Sequence, residues 1–415
     1  MKKINRIEFD NGLVLLTERR PNTKKAVLLI GVKVGSVDEP KKLNGVSHFN
    51  EHMLFKSNKY RTTEQIAEDL EYSGAVANAY TTFRYTAFYV KTLRKNIPDA
   101  IEILLQGVTN FDYREDEFLT EKEVILTELK NYLNSPEKYS LYEFFIPTLF
   151  RGTPLEKTII GSERTIRNLK KRDLERFKKK FYIPGNMVIV AVGNFNEDIV
   201  KKEISKTFAD LDEKKIPRIN SRVDLRNKKI EKFRYRSDIS QLYMCLGYRV
   251  PGYVNKDIHR LDLLSGILYE GFSSRMFREL REKRGIGYDV SGVFSPHGDE
   301  GIFSVYINGF DTNRFKEAKD AISRIFEDLK KNLVPKREFN GVKNLMISKH
   351  SDKLEKILDR AIMILETEIY GIPYDFRRKE RFIREISRRE LMETAKDHLT
   401  DDYSMTVLCP EGFRE

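Results

Sequence analysis

The run His48-Phe49-Asn50-Glu51-His52 places two imidazoles and a carboxylate within five residues. On a helix, side chains four apart share one face at about 6 Å, so His48 and His52 can offer two nitrogens to one metal ion. Glu51 projects from the neighbouring stripe, close enough to take a proton from metal-bound water without ligating. That is the division of labour metal-assisted hydrolysis requires. The chain has six histidines, and roughly 0.01 such arrangements are expected by chance. The competing reading is a pair of satisfied core histidines with a surface acid between them.

A catalytic zinc normally takes three protein donors and a water, so one more ligand must come from elsewhere. A long helix is expected from about 116 to 133, bounded by Asn134-Ser135-Pro136, and it carries Glu121 and Glu128. Seven residues apart, the two acids lie within about 20° of each other on one stripe with Ile125 and Tyr132. Glu128 is the candidate third ligand, and Glu121 stands behind it to hold an imidazole in its ligating tautomer. Taken alone, Glu128 reads as a solvated acid on a Glu-rich helix. The histidine pair is what gives it a function.

These side chains need elements to position them. A helix is expected over 45–55, and a second opens at Thr62 with Gln65 as its capping box and closes at Gly74. A strand pair follows, 76–83 and 85–93, with Arg84 between them. The chain also repeats itself. Ala26–Val34 (AVLLIGVKV) matches Leu242–Val250 (LYMCLGYRV), Gly31 against Gly247, at an offset of 216 residues. Val188–Gly193 (VIVAVG) matches Met405–Pro410 (MTVLCP) at 217. The pattern predicts an α+β fold of two duplicated domains, each a mostly antiparallel sheet flanked by helices. The expected bounds are 1–215 for the first domain, 216–229 for a charged linker containing Pro217, and 230–415 for the second.

Composition narrows the remaining classes. A chain of 415 residues, 40% hydrophobic, can bury two cores, and no apolar run approaches the roughly 18 residues of a membrane span. Cys245 and Cys409 sit in apolar runs and read as buried reduced thiols. The amino terminus shows no apolar stretch after its first basic residues, so cytoplasmic residence is expected. A net charge of +12 (75 basic against 63 acidic residues) invites a nucleic-acid partner. The basic clusters are scattered and interleaved with acids, as on solvated helix faces, and no nucleic-acid partner is expected.

The order His-x-x-Glu-His is that of the inverted zincins. The segment GVSHFNEHMLFKS, with Glu128 76 residues after His52 and Glu121 seven earlier, resembles the pitrilysin and mitochondrial processing peptidase family. Gly74-Ala-Val-Ala-Asn78-Ala79-Tyr80-Thr81 is similar to that family's substrate-accepting edge strand. Ser274-Arg275-Met276-Phe277 through Leu280-Arg281 to Gly287-Tyr288 is similar to its Leu-Arg-x-x-x-Gly-x-x-Tyr signature. The resemblance spans nearly the whole chain. It implies a zinc endopeptidase for unfolded peptides, with one Zn2+ per chain held by His48, His52 and Glu128, and Glu51 as base. It also implies Asn78, Ala79, Tyr80 and Thr81 as substrate-binding residues, and Arg281 and Tyr288 as substrate-orienting groups. The region of the second half that matches the histidine helix, from His259, offers no acid at the needed place, so only the first domain is expected to bind metal. His297, His350 and His398 stand alone. The half-length branch implies one half of a clamshell, completed in a homodimer or with a sister chain. The alternative is a non-catalytic, peptide-holding or structural subunit of the same family.

Overall fold

The computed structural model describes residues 4–110, 112–208, 211, 224–253, 255 and 257–414. The expected linker, 216–229, lies outside the described residues as far as 223. Among the described residues, eleven strands form two sheets. In the first, β1 (Asn5–Glu8), β2 (Val14–Arg19), β3 (Lys25–Val32), β4 (Val76–Thr81), β5 (Thr86–Leu93) and β6 (Met187–Gly193) lie in the order β1-β2-β6-β3-β5-β4. In the second, β7 (Ile230–Arg236), β8 (Leu242–Pro251), β9 (Asp289–His297), β10 (Glu300–Phe310) and β11 (Ser404–Pro410) lie in the order β7-β11-β8-β10-β9.

The second sheet repeats the first strand for strand from β2 to β6; among the described residues it has no counterpart of β1. Each has one parallel pairing, β2 with β6 and β7 with β11, and is otherwise antiparallel. The register repeats as well. Gly31 of β3 stands opposite Val188 and Ala87, and Gly247 of β8 stands opposite Ser404 and Ser304. The repeats seen in the sequence are therefore central strands, with one correction: the registers make Ser404, one residue before the matched Met405, the counterpart of Val188, so the offset is 216 for both strands; the α+β duplication is the architecture.

The compact units do not follow the contiguous halves drawn from the sequence. One comprises Met1–Lys130, Lys157–Ser221 and Lys353–Tyr374; the other comprises Asn131–Glu156, Arg222–Asp352 and Asp375–Glu415. The reason is burial. β3 and β6 are apolar on both faces and nearly every residue of them is buried, so each face needs a cover. The helix Ile357–Ile369 supplies one, packing on β3 and β6. Its Leu365 fills the space beside Gly31, where a Cβ would lie 2.5 Å from the leucine Cδ1. Its Arg360 donates to the buried Glu18 of β2 at 2.6 and 2.8 Å, while Arg20 takes the other Glu18 oxygen at 2.7 Å. In the other unit, the π-helical turn Tyr139–Phe145 packs on β8 and β11. Each half of the chain thus lends the same stretch to the other half's sheet.

Among the helices of the first unit are α1 (Val46–His52), α2 (Thr63–Tyr72), α3 (Ile97–Thr109) and α4 (Glu115–Asn134), and α1 and α4 carry the candidate site. The expected helix over 45–55 is shorter, because Gly45 has φ +98° and starts it, and the chain turns after His52. A side chain at Gly45 would also meet the Ile160 carbonyl at 2.7 Å. The Thr62–Gln65 capping box and the 20-residue α4 are as the pattern requires. β4 and β5 form the expected antiparallel pair, with β4 at the sheet edge. Cys245 and Cys409 are buried and unlinked. Among the described residues, no helix is long and apolar enough to cross a membrane.

Candidate metal centre

α1 is only seven residues long, too short to persist by helix propensity, and its surroundings hold it in place. Glu39, buried just ahead of it, accepts from the amide of Gly45 and the side chain of Asn44 on one oxygen and from the amide of Ser47 on the other, each at 2.8 Å. Burial pushes the Glu39 carboxyl up to about 7 against these hydrogen bonds. Behind the helix, Asn50 donates to the carbonyls of Val46 and Leu174 and accepts from the Tyr113 hydroxyl at 3.0 Å. Apolar Val46 and Phe49 are fully buried, which turns His48, Glu51 and His52 the other way.

His48 and His52 are stacked edge to face with ring centroids 4.6 Å apart. α4 brings Glu128 to both: its Oε2 lies 3.3 Å from His52 Nε2 and 3.8 Å from His48 Nε2. His48, His52 and Glu128 each offer one donor atom, and the three lie within 4.8 Å of one another; they are the group of metal-ligating side chains found among the described residues. Two neutral-capable imidazoles and a carboxylate suit a zinc-like divalent ion. The donor set fits the metal that the sequence implies.

Glu121 meets the other side of His52, its Oε1 2.8 Å from Nδ1, while its Oε2 pairs with Lys56 at 2.5 Å. Burial would raise the Glu121 carboxyl, but His52 and Lys56 hold it below its ordinary value. Charged, it keeps the proton of His52 on Nδ1 and leaves Nε2 to face Glu128. The two rings differ electrostatically. Burial, aided by the neighbouring His52, pushes His48 down to about 4. Burial also opposes charge on His52, but the hydrogen bonds to Glu121 and Glu128 carry it up to about 9. His48 Nδ1 is buried and meets no hydrogen-bond partner among the described residues. Glu51 projects from the same helix; burial raises its carboxyl, and the Thr81 hydroxyl, 2.7 Å from Oε2, opposes the rise.

The expected substrate-binding residues Asn78, Ala79, Tyr80 and Thr81 lie on the edge strand β4, which packs against α1. Asn78 is exposed and accepts from the Ala79 amide at 2.8 Å. Tyr80 leans on Tyr85, hydroxyls 3.5 Å apart. In the second unit, Arg281 and Tyr288 come together: the guanidinium lies 4.2 Å from the Tyr288 ring centre and 4.8 Å from that of Phe277, and Tyr288 is 79% exposed. His259 stacks on Phe382, His350 Nε2 donates to the Phe376 carbonyl at 2.8 Å, and His398 lies 3.9 Å from Asp257. Sequence reasoning missed Glu39, Lys56 and the bond from Thr81 to Glu51. Lys56 stands inside the quoted GVSHFNEHMLFKS segment; nothing in the local pattern marks Glu39.

Known proteins resemble the chain along its length. Residues 14–163 match the family described as "Insulinase (Peptidase family M16)", and residues 168–346 match "Peptidase M16 inactive domain". The chain is 30% identical over 417 residues to an "Uncharacterized zinc protease" of Rickettsia bellii, covering 99% of both chains. It is 27% identical to "Zinc protease PqqE" of Helicobacter pylori, covering 98% of this chain and 93% of that one. Among solved structures, "The crystal structure of a protease from Helicobacter pylori" superposes with a TM-score of 0.92 at 25% identity, over 99% of this chain and all of the other.

Proposed function

Because the chain belongs to the M16 family of peptidases, to whose zinc-protease members it is similar along its length, we propose that it is a zinc-dependent endopeptidase. One observation carries this reading: three donors from two distant helices converge within 4.8 Å, with Glu51 on the same helix as two of them. Zinc held by His48, His52 and Glu128 would polarise a peptide carbonyl and acidify a bound water.

The chain's own residues do the rest. Glu51 takes the proton of the attacking water and passes it to the leaving amine, one carboxylate serving as base and then as acid. Glu121 and Lys56 hold the His52 ring in its ligating tautomer. An extended peptide adds to the edge of β4 by backbone hydrogen bonds, which are indifferent to side-chain identity, around Asn78, Ala79 and Tyr80. Arg281 and Tyr288 orient the substrate carbonyl or carboxylate. In the half-length branch the facing half comes from a second chain, so the working unit is a homodimer, or a heterodimer with a sister chain, enclosing unfolded peptides in the cytoplasm. A non-catalytic subunit of the same fold would be expected to have lost ligands, and here His48, Glu51, His52 and Glu128 all stand.

The test is cleavage of a mixed peptide library, with and without chelator, alongside metal analysis. Chelation should abolish cleavage and zinc should restore it. Glu51→Gln should retain zinc and slow hydrolysis by about 10²–10⁴-fold. Undiminished turnover in that variant would remove Glu51 from the role of base, and wild-type protein that neither holds metal nor cleaves peptides would end the peptidase reading.

A further inference from the structure

β4 has two faces. Ala77, Ala79 and Thr81 alternate with Asn78 and Tyr80, and the Thr81 hydroxyl reaches α1, so the first three occupy the face turned to that helix. The two alanines are small and let α1 approach the strand. Thr81 is the residue of that face with a side-chain donor, and it spends it on Glu51 Oε2 at 2.7 Å.

The direction of that hydroxyl is set by the sheet. Thr81 pairs with Thr86 of β5, and the Thr86 hydroxyl is anchored to the Val34 carbonyl at 2.9 Å. A β-branched side chain on a paired strand has little freedom about χ1, so the donor sits at one place relative to the strand. Glu51, by contrast, has three side-chain torsions, and the hydrogen bonds given to its carboxylate both come from Thr81: the hydroxyl at 2.7 Å and, as a smaller effect, the backbone. Holding Oε2 orients the group and leaves Oε1 to exchange a proton. We propose that Thr81 is the positioning residue of the general base, its hydroxyl engaged with Glu51 and not with substrate, so that the strand receiving the peptide and the carboxylate that acts on it are joined through this residue. The inference rests on the reading of Glu51 as base. It alters the substrate-binding role that the family resemblance implies for Thr81.

The test compares Thr81→Val, which keeps the shape and removes the donor, with Thr81→Ser, which keeps the donor, in the full-length zinc-loaded protein and a fluorogenic peptide chosen from the library. Thr81→Val should lower kcat by about 10–100-fold with KM and zinc content unchanged, and Thr81→Ser should recover most of the loss. In the Glu51→Gln background, adding Thr81→Val should leave the Kd of the same uncleaved peptide unchanged. A raised KM or Kd with kcat preserved would mean the hydroxyl meets substrate, and would overturn the proposal; so would equal kcat in wild type and Thr81→Val. Should Thr81→Val not fold, Thr81→Ala replaces it, and kcat equal to that of Thr81→Ser overturns the proposal. Should the wild type neither bind nor cleave peptides, the peptidase reading fails by itself, and a crystal structure of Thr81→Val decides the positioning role: Glu51 in several rotamers supports it, and an unmoved carboxylate overturns it.

Discussion

Two pairs of helices occupy corresponding places in the two units and meet in opposite ways. In the first, α4 brings Glu121 and Glu128 to His52 and His48 of α1. In the second, a helix of the same 20-residue length, Lys336–Glu355, brings Val342 and Met346 onto Gly266 of the helix Ile258–Tyr269. The second contact is part of a continuous apolar core. His259 and Asp262 of that helix are turned to other tasks, stacking on Phe382 and pairing with Lys379 at 2.7 Å. The difference extends one layer back. The helices Lys171–Phe181 and Arg388–His398 are each 11 residues long and begin 217 residues apart, so the buried Lys178 behind α1 corresponds to buried Ala395. One scaffold supports a polar centre or a sealed core depending on a few side chains, because sheet register and helix placement are set by apolar burial common to both.

This comparison can be broken first at the metal. Glu121→Gln leaves the ligands in place but frees His52 to rotate and change tautomer, and zinc affinity measured by chelator competition should fall about 10–100-fold. A control change in the apolar unit, Asp262→Asn, should leave affinity unchanged. A metal loss in both variants would mean that the effect of Glu121 is on general stability.

The matched glycines sharpen it next. A Cβ at Gly247 would lie 2.4 Å from the Phe303 carbonyl and 2.8 Å from the Ser304 Cα, so backbone must move. The atoms nearest a Cβ at Gly31 all belong to the Leu365 side chain. Denaturant unfolding should show Gly247→Ala costing about 2 kcal/mol and Gly31→Ala about 1 kcal/mol. Adding Leu365→Val should recover part of the Gly31→Ala cost; no recovery would mean that the borrowed helix does not set the space above β3.

A pH-dependent effect is expected at Lys178. Its ammonium donates to the Gly107 carbonyl at 2.9 Å and lies over the Tyr113 and Tyr182 rings. Burial pushes it down to about 7 from an ordinary 10.5. Between those values the unfolded chain holds a proton that the folded chain lacks, so the stability from this site is present above about 10 and lost as pH falls to 7. Lys178→Met removes that dependence. Its melting temperature relative to wild type should rise by roughly 6–12 °C between pH 9.5 and pH 7, and a constant difference across the window would contradict the assignment.

The sequence by itself determined whatever depends on neighbours within one turn or one strand. His48, Glu51 and His52 share a helical face because 3.6 residues make a turn, Glu121 and Glu128 share a stripe for the same reason, and the Gly31 and Gly247 runs reveal the duplication because equivalent strands bury equivalent apolar residues. Local periodicity says nothing about which distant faces meet. That α4 stands over α1, that Glu39 holds the start of α1 across a loop, that Thr81 gives its hydroxyl to Glu51, and that each half lends a helical stretch to the other's sheet were decided by tertiary structure. Their common cause is the need to cover apolar surface on both faces of the central strands, a non-directional force that brings together residues far apart in the chain and leaves polar side chains to satisfy one another where they land.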